Sequence, residues 1–586
     1  MLHPLPIATS ADSRSATMTP SLVRAALVLG LTWVLGAWPA HAQAPDQSAE
    51  ADTSLYEIAP REIEIRGRLE VDLPSLERQP LRDLAPSVQV PTLPPTRQPY
   101  IGTYKRTLAE IPQQLPEPAP PSDALTPSGP ASPASITAGG GRYLSRFIRG
   151  RMHVPLSSSE SLELQGDYEG SEGHTPFDND DAESAFDRAT ARLQFESRRS
   201  AYQLSAALHG FADSYTLYGV QPAASIPDRV GLSAGATADL ETRGSVPVAL
   251  GLSYDETEYE TGDRAFDESR LHAHGTIDVP LAPRALRLDG AFTASGLNGN
   301  FAADGDVVAF TGGALLTLFD TETYSLDAGA RLLTFDGVVN PTAASAPDAS
   351  AEFFAPYVKG RWRAAPALEL YAHWTPRLDP HGLASTMATN PFVQHGPTLL
   401  PTLETTHAEG GARLTVGAVE VRAFAGYRYA PSFRYFLDTA PSTGRFGVFF
   451  DSAEILQGGA QVALRGLETV QASARLLIRD GTLTDTDRAI PNFAPVLGEG
   501  SVSVSFLDQK AFLELTGTVE SPRYVTRDES AEVGTYADVD LNASYAVTPL
   551  LEVLARVQNI GSGTLEQWER YPRPPTVIST GLRLHW

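Results

Sequence analysis

Two histidines and an aspartate have the residue types and spacing of a possible metal site. His272 and His274 lie two residues apart, and the apolar residues that alternate with them put both imidazoles and Asp278 on one face of a β-strand. Two imidazoles and a carboxylate can hold a transition metal. Such residues also line water-filled channels, and no second cluster supports a site. His373 beside Glu369, on the inward face of 368–374, is a candidate of the same kind and is discounted for the same reason. We therefore predict no metal and no cofactor. If a metal binds, His272, His274 and Asp278 are the candidate ligands.

Carboxylates are concentrated in two further stretches, 178–181 and 255–260, which we predict to lie in long polar loops. Oxygen ligands at this density could bind calcium or a cationic ligand, but neither stretch has the spacing of an EF-hand. Solvated surface loops are the favoured interpretation. Serine and histidine are scattered without a nucleophile elbow or a repeated Asp/His grouping, so we predict that the chain is not an enzyme.

The overall composition restricts the class of protein. The 586 residues carry 70 acidic and 45 basic side chains, a formal charge of −25, and no cysteine. An acidic chain without clustered Lys and Arg argues against nucleic acid as a partner. No run of about 20 apolar residues follows the N-terminal region, which excludes a multi-pass helical membrane protein. Without disulfides, stability must come from hydrogen bonding and burial.

Residues 1–42 have the features of an export signal. Met18 can serve as the true start, Arg24 supplies a basic n-region, and residues 25–38 form an apolar core. Ala40 and Ala42 then give a small-x-small cleavage site. The alternative is a single membrane anchor, for which the apolar run is short. We therefore predict an exported protein.

From Arg142 to the C-terminus, apolar and polar residues alternate in segments of about ten residues, for example in 286–293, 419–429, 537–545 and 551–558. This is the length and period of a strand that crosses a membrane with lipid outside and water inside. The sequence therefore predicts an all-β protein in which residues 142–586 form an antiparallel up-and-down transmembrane β-barrel. The predicted lumen-lining residues are Glu420, Arg422, Arg428, Asp538, Asp540, Arg556 and Arg583.

Short turns and long loops alternate along the same region. Short turns are predicted at 157–159, 198–200, 242–245, 282–284, 320–322, 364–366, 417, 465–468, 508–510 and 547–549, and long loops at 169–187, 255–268, 376–404, 479–495 and 520–534. Short periplasmic turns and long external loops are typical of outer-membrane barrels. Ten turns and a terminal strand give 21 strands after Arg142. Because bacterial barrels usually close with an even number, we predict one further strand upstream and 22 in all, with 20 as the alternative.

Residues 43–141 contain 17 of the chain's 46 prolines, which disfavour helix and β-ladder alike. We predict a largely disordered periplasmic arm there. Residues 61–71 differ, because Ile63, Ile65 and Leu69 alternate with charged residues as in a strand. A single strand cannot bury its apolar side alone, so this stretch either pairs with a partner or packs on the barrel rim.

The last strand, 580–586, ends in Trp586, with Leu582 and Leu584 on the same face. An outward-facing terminal aromatic resembles the signal that the outer-membrane barrel assembly machinery recognises. We therefore expect that machinery and outer-membrane lipid as partners.

Near the C-terminus, Asn559 lies at a strand end, Trp568, Tyr571 and Pro572 lie near a proline turn at Pro574, and Gly581, Leu582 and Arg583 precede the final aromatic. In these residues the C-terminal part of the chain, over 350–586, resembles the barrel of TonB-dependent receptors. That family has an asparagine at a strand end, an aromatic residue and Tyr-Pro near a proline turn, and then Gly-Leu-Arg before a final aromatic. A second similarity is Asn390-Pro391 followed by Leu399-Leu400-Pro401 and by residues 409–413. The resemblance implies ligand uptake or binding at the outer membrane of a Gram-negative-type bacterium.

Family members also carry a folded plug domain before the barrel, and residues 43–141 are too rich in proline to form one. Residues 62–68 are only faintly similar to the start of a plug, and 55–58 only to an energy-coupling box. The sequence is therefore similar to a relative that lacks a full plug, with 43–141 as a plug remnant. A TonB-type energy-coupling protein or another periplasmic protein is the expected partner of this arm.

Three functions follow from these features. The first is a receptor-like barrel that admits or binds a ligand, and the mixed charge of its lumen suggests a polar solute. The second is a passive porin whose lumen is narrowed by an infolded loop, for which 376–404 is the longest candidate. The third is a non-transport scaffold whose arm recruits a periplasmic partner by strand addition at 61–71.

Overall fold

The computed structural model describes residues 133–586 except 178–182, 221–225, 263, 283, 300–304, 338–349, 394–398, 439–442, 466, 468 and 562–564. The predicted signal peptide, the strand at 61–71 and all but the end of the arm lie outside the described residues, as do 178–181 of the acidic stretches. In the part that is described, no helix is long and apolar enough to cross a membrane.

Twenty-two strands of the described chain form one sheet whose neighbours are antiparallel. They are β1 (Ala134–Gly141), β2 (Arg146–Pro155), β3 (Glu160–His174), β4 (Ser184–Arg198), β5 (Tyr202–Thr216), β6 (Asp228–Thr242), β7 (Val248–Thr261), β8 (Arg264–Leu281), β9 (Arg284–Gly299), β10 (Gly305–Asp320), β11 (Tyr324–Gly337), β12 (Ser350–Ala365), β13 (Leu368–Trp374), β16 (Thr406–Val416), β17 (Val419–Asp438), β18 (Phe446–Leu464), β19 (Val470–Leu483), β21 (Val496–Phe506), β22 (Ala511–Glu520), β25 (Tyr536–Thr548), β26 (Leu551–Gln558) and β29 (Val577–His585). The remaining elements lie between them: β14 (Arg377–Asp379), α1 (Leu383–Thr389), β15 (Thr402–Glu404), β20 (Arg488–Ala489), β23 (Arg523–Tyr524), β24 (Glu532–Val533), β27 (Leu565–Trp568) and β28 (Tyr571–Arg573).

The sheet closes on itself because the first strand pairs with the last. Ile136 lies opposite Leu584, and Ala138 opposite Leu582, in the antiparallel pairing of β1 with β29. The prediction of 22 strands is confirmed. The additional strand lies upstream of Arg142, as the even count required, and begins at Ala134.

The wall has an apolar outward face and a polar inward face. Leu208, Leu232, Phe354 and Leu456 are among the outward side chains, and each is more than half exposed. Such a band is stable in lipid and would be unfavourable in water. The residues that alternate with this band face the lumen.

The prediction of a long loop at 255–268 is wrong. β7 continues through this stretch to Thr261, and β8 begins at Arg264. On the outward face of β7, Leu250 and Leu252 are followed by Glu256, Glu258 and Glu260. The ladder therefore extends beyond the apolar belt, and the carboxylates that suggested a loop are the outward residues of that extension.

All ten predicted short turns join consecutive wall strands at one end of the barrel. The opposite end carries the longer connections, although the described strands shorten the predicted loop at 169–187 to residues 175–183. Outer-membrane barrels have short periplasmic turns and longer external loops, so the end with the ten short turns is periplasmic and the opposite end is external.

Candidate functional site

The connection between β13 and β16 folds into the external mouth of the barrel. We call the described residues of this connection, 376–393 and 399–404, the infolded segment. It contains β14, α1 and β15, and β14 pairs with β15 so that Asp379 lies opposite Thr402. Leu403 of β15 also pairs with Ser432 of β17. The loop named for the porin hypothesis does therefore enter the lumen.

The helix of this segment reaches a wall strand that is distant in sequence. The Glu268 carboxylate of β8 is 4% exposed and accepts hydrogen bonds from the backbone N–H of Leu383 and the hydroxyl of Ser295. Two residues along β8, Arg270 donates to the carbonyl of Pro380 at 2.8 Å. Both wall side chains alternate with the outward-facing Leu271 and so point into the lumen. They hold the start of α1 against β8.

A second contact joins the end of α1 to β5 and β6. Arg229 of β6 is fully buried and donates to the hydroxyl of Thr261 at 2.7 Å and to the carbonyl of Pro391 at 2.8 Å. Tyr215 of β5 donates to the same carbonyl at 2.8 Å, and the Arg229 guanidinium also contacts the sulfur of Met387 at 3.4 Å. A buried cation of β6 thus holds the other end of α1, two strands away from the contact with β8.

An apolar cluster fills the space between these contacts, with members from the infolded segment, the wall and other external connections. Its buried residues are Tyr218, Tyr259, Phe266, Ala309, Leu333, Phe335, Leu383, Met387, Val393, Leu399, Leu400, Leu403, Phe436, Phe446, Val448, Phe450 and Tyr571. Because members come from β7, β8, β10, β11, β17 and β18, the cluster spans the mouth from one wall to another. We call it the mouth core.

The two ends of the infolded segment meet at one buried carboxylate. Glu404 is 2% exposed and accepts hydrogen bonds from Arg377 at 2.8 and 3.2 Å, from Arg428 at 3.2 Å, and pairs with Nδ1 of His407 at 2.6 Å. Burial alone would raise the pKa of Glu404, but the hydrogen bond from His407 and the two guanidinium groups lower it to about 2. The carboxylate is therefore ionised at neutral pH and ties β14, β15 and the wall together.

His373 lies on the lumen face of β13, as predicted, and its aromatic neighbours are Tyr371 and His407. Its ring lies 6.2 Å from that of Tyr371 and 5.9 Å from that of His407, whereas Glu369 lies opposite Arg363 and Arg413 in the ladder. The alternation along β13 correctly put these side chains on the lumen face, but the sequence does not show which strand comes next across the sheet. That strand is β16, which follows the infolded segment.

The candidate metal ligands have other partners. His272 Nδ1 lies 2.8 Å from the Thr293 hydroxyl, and Arg287 donates to both oxygens of Asp278 at 2.7 and 2.9 Å. The rings of His272 and His274 are 5.5 Å apart. In the described ranges, no three His, Cys, Asp or Glu side chains are grouped so that they could hold a metal ion.

The seven predicted lumen-lining residues all lie on the inward face, and each has a partner of opposite charge within the described chain. The pairs are Glu420 with Arg413 and Arg465, Arg422 with Glu409, Arg428 with Glu404, Asp538 with Arg573, Asp540 with Arg556, and Arg583 with Glu552. Their role in contacting a solute remains a prediction.

Several residues that hold the infolded segment were not found from the sequence. Arg229 and Glu268 alternate correctly with apolar neighbours, but any inward polar residue does so. Glu404 ends a short strand in a predicted loop. Their burial depends on the return of a distant loop into the lumen, and periodicity within one strand carries no signal of that.

At the C-terminus, Leu582, Leu584 and Trp586 lie on the outward face and are 53%, 48% and 60% exposed. Their role as an assembly signal remains a prediction. Nearby, Tyr571 is 2% exposed and donates to the carbonyl of Gly444 at 2.8 Å, while Asn559 donates to the carbonyl of Pro574 at 2.7 Å. The residues that carry the family resemblance thus shape the last external connection.

The closed 22-strand wall can be compared with solved structures. The siderophore receptor PiuA from Acinetobacter baumannii superposes with a TM-score of 0.61 at 9% identity, over 77% of this chain and 81% of that one. The wall has the fold of a TonB-dependent receptor barrel. The FrpB iron transporter from Neisseria meningitidis (F3-3 variant) gives a TM-score of 0.60 at 9% identity, over 77% and 81% of the two chains. The copper transporter OprC gives 0.57 at 13% identity, over 77% and 80%.

No family model matches the sequence, and a search of curated proteins finds no match. The structural likeness therefore shows the fold. This receptor-like fold, its apolar belt and its asymmetric connections are those of a Gram-negative outer-membrane barrel. Within the described residues 133–586, the structure shows the wall and its connections and no plug domain.

Proposed function

We propose that this outer-membrane barrel takes up a polar ligand through a lumen that the infolded segment gates. The observation that carries the proposal is the mouth core. In it, buried side chains of the infolded segment pack against wall strands on opposite sides of the lumen. A 22-strand barrel is too wide to be filled by its wall side chains, so whatever occupies the mouth controls passage. The neighbours named as receptors and transporters support uptake in preference to catalysis.

The passive porin is the second candidate, and the infolded segment itself favours it, because porins can be narrowed by such a loop. The two candidates differ in the resting state. A porin conducts steadily, whereas a gated barrel conducts only when the mouth core is displaced. The buried apolar side chains of the mouth core favour the gated state, since they leave little polar surface for an aqueous path.

Planar-bilayer conductance of the full chain separates the two candidates. Because Asp379 and Thr402 are paired, residues 380–401 can be replaced by an Asn-Gly turn that keeps the β14–β15 ladder. We expect little conductance from the wild type and steady channels from this variant. Steady channels from the wild type would support the porin. No conductance from either form would show that another part of the chain occludes the lumen and would contradict gating by this segment.

The absence of cysteine allows a second measurement on the closed state. Met387 is 3% exposed, whereas the adjacent Ala388 is exposed. In single-cysteine variants, Met387→Cys should react slowly with a water-soluble maleimide and Ala388→Cys quickly. Equal rates would mean that α1 is not held in the mouth core.

Energy coupling and scaffolding both depend on residues 43–141, which lie almost wholly outside the described residues. A TonB-type protein as the partner of this arm is therefore part of the proposal. Pull-down from periplasmic extract with the full chain and with an Ile63→Pro variant tests it, since proline prevents strand pairing at 61–71. Retained capture by the variant would contradict strand addition.

A further inference from the structure

Near the periplasmic end of the lumen, two arginines face each other across neighbouring strands. Arg413 of β16 lies directly opposite Arg422 of β17. Like charges in this position destabilise a sheet, so wall stability alone does not favour the pair. The same row continues through Gln461 of β18 to Arg475 of β19. Three of these four inward side chains are therefore cationic.

The available carboxylates compensate these cations unequally. Arg422 donates to Glu409 at 2.8 Å and to the Tyr371 hydroxyl at 2.8 Å. Arg413 has its nearest carboxylate, Glu420, at 3.5 Å, and its Nε is buried without a hydrogen-bond partner in the described chain. Arg465 shares the same carboxylate at 3.6 Å. Glu420 thus lies beside two guanidinium groups without forming a close hydrogen bond to either.

These side chains surround a depression in the lumen wall, which we call the arginine recess. It is lined by Arg413, Glu420, Arg422, Gln461, Ala463 and Arg465. It lies beside the periplasmic turns at 417–418 and 465–469. Glu409 compensates Arg422, whereas Arg413 and Arg465 share the one carboxylate of Glu420, in a chain whose formal charge is −25.

We propose that the arginine recess binds a small oxyanion, a phosphate or carboxylate group carried by the solute that passes through the lumen. Guanidinium groups recognise both groups through paired hydrogen bonds, and a local positive field attracts an anion that the rest of the chain repels. The part of this inference that concerns passage rests on the proposed uptake function, whereas the binding itself does not.

Binding is tested by isothermal titration of the purified full chain in detergent with inorganic phosphate and, separately, with citrate. We expect saturable, salt-sensitive binding of at least one anion, and the stronger of the two identifies the group. The double substitution Arg413→Gln and Arg465→Gln should weaken it about tenfold or more, because two charge-assisted contacts are lost. Arg199→Gln is the control, since it removes one positive charge from another periplasmic turn, where Arg199 pairs with Glu160.

The proposal is overturned if the wild type binds neither anion, if the double variant binds as the wild type does, or if Arg199→Gln weakens binding equally. Circular dichroism and the heat-dependent gel mobility of the folded barrel show whether each variant is folded. An Arg413→Lys, Arg465→Lys double variant keeps the charge and should retain part of the affinity. If the 380–401 replacement forms channels but the chain binds no anion, only the proposal for the arginine recess is contradicted. If the chain binds an anion but the replacement forms no channels, only the uptake proposal is contradicted.

Discussion

The wall and the infolded segment of this barrel are held by different kinds of contact. Each wall strand is bonded along its length to two neighbours, and the pairing of β1 with β29 leaves no free edge. The infolded segment has the three-residue β14–β15 pairing, one bridge from Leu403 to Ser432 and side-chain contacts at a few positions. When one wall contact is lost, many others still hold the strand in place. When one contact of the infolded segment is lost, few others remain to hold it. The segment can therefore move while the wall stays folded.

Charges are also treated differently in the two regions. Most inward wall charges remain partly hydrated, as in the pair of Arg556 and Asp540, which are 34% and 20% exposed. Three of the charges that hold the infolded segment are almost fully buried, namely Arg229 at 0%, Glu404 at 2% and Glu268 at 4%. Burial removes hydration from these groups, and displacement of the segment would restore it. The regained hydration offsets part of the free energy that is needed to displace the infolded segment.

The largest effect is expected at Glu404, where a single carboxylate holds both ends of the infolded segment. Glu404→Gln leaves the buried Arg428 and the partly exposed Arg377 without their anion, which should destabilise the closed segment by about 3–5 kcal/mol. Labelling of Met387→Cys should then become fast.

The matched control for this change is Glu552→Gln, since Glu552 is 2% exposed but pairs with Arg583 within the wall. It should lower the stability of the barrel and leave labelling of Met387→Cys slow. Equal labelling in the two variants would mean that wall and segment are not independent.

A smaller effect distinguishes the two faces of the wall. Leu515 of β22 is 44% exposed on the outward face, and Thr516 is the next residue on the inward face. Leu515→Arg should lower the free energy of unfolding in lipid by about 2–4 kcal/mol, and Thr516→Arg by much less. Urea titration in phospholipid vesicles measures both. Equal losses would contradict the assignment of the lipid-facing side.

The wall was predictable from sequence because its signals are local. Alternation in 419–429 identifies the lumen face of β17, and each short turn marks the end of a strand. The even-number rule then required β1 although 134–141 itself is rich in glycine. The boundary error at 255–268 arose because Glu256, Glu258 and Glu260 were interpreted as a loop, whereas a ladder can continue beyond the membrane with charged outward residues.

The candidate site was much less predictable. The position of 376–404 in the lumen could be suggested from its length, but its contacts with Arg229 and Glu268 join residues more than 100 positions apart. The like-charged pair of Arg413 and Arg422 depends on the register between β16 and β17. Register is a property of two strands, so neither strand shows the pair by its own pattern.

The smallest expected effect is a pH dependence of the infolded segment. Burial, with Arg434 and Arg270 nearby, holds the pKa of His381 well below its ordinary value of 6.5, and its ring lies 2.8 Å from the Thr402 hydroxyl. The closed segment therefore holds a neutral imidazole, whereas an opened segment would take up a proton below pH 6.5. The contribution to closure is full above that pH and is lost as the pH falls towards the lowered pKa. Glu404 acts in a separate window. The stability that its lowered pKa contributes is full above about pH 4.5 and is lost as the pH falls from there towards 2.

The measurement is the labelling rate of Met387→Cys divided by that of Ala388→Cys at each pH, because this ratio cancels the titration of the thiol itself. Between pH 6.5 and 5 the ratio should rise by up to about tenfold per pH unit, which corresponds to one proton. His381→Asn can keep a hydrogen bond to Thr402 but cannot take up the proton, so its ratio should be flat in this range. A slope that persists in His381→Asn would assign the effect to another group, and a flat wild-type ratio would mean that His381 stays buried when the mouth opens.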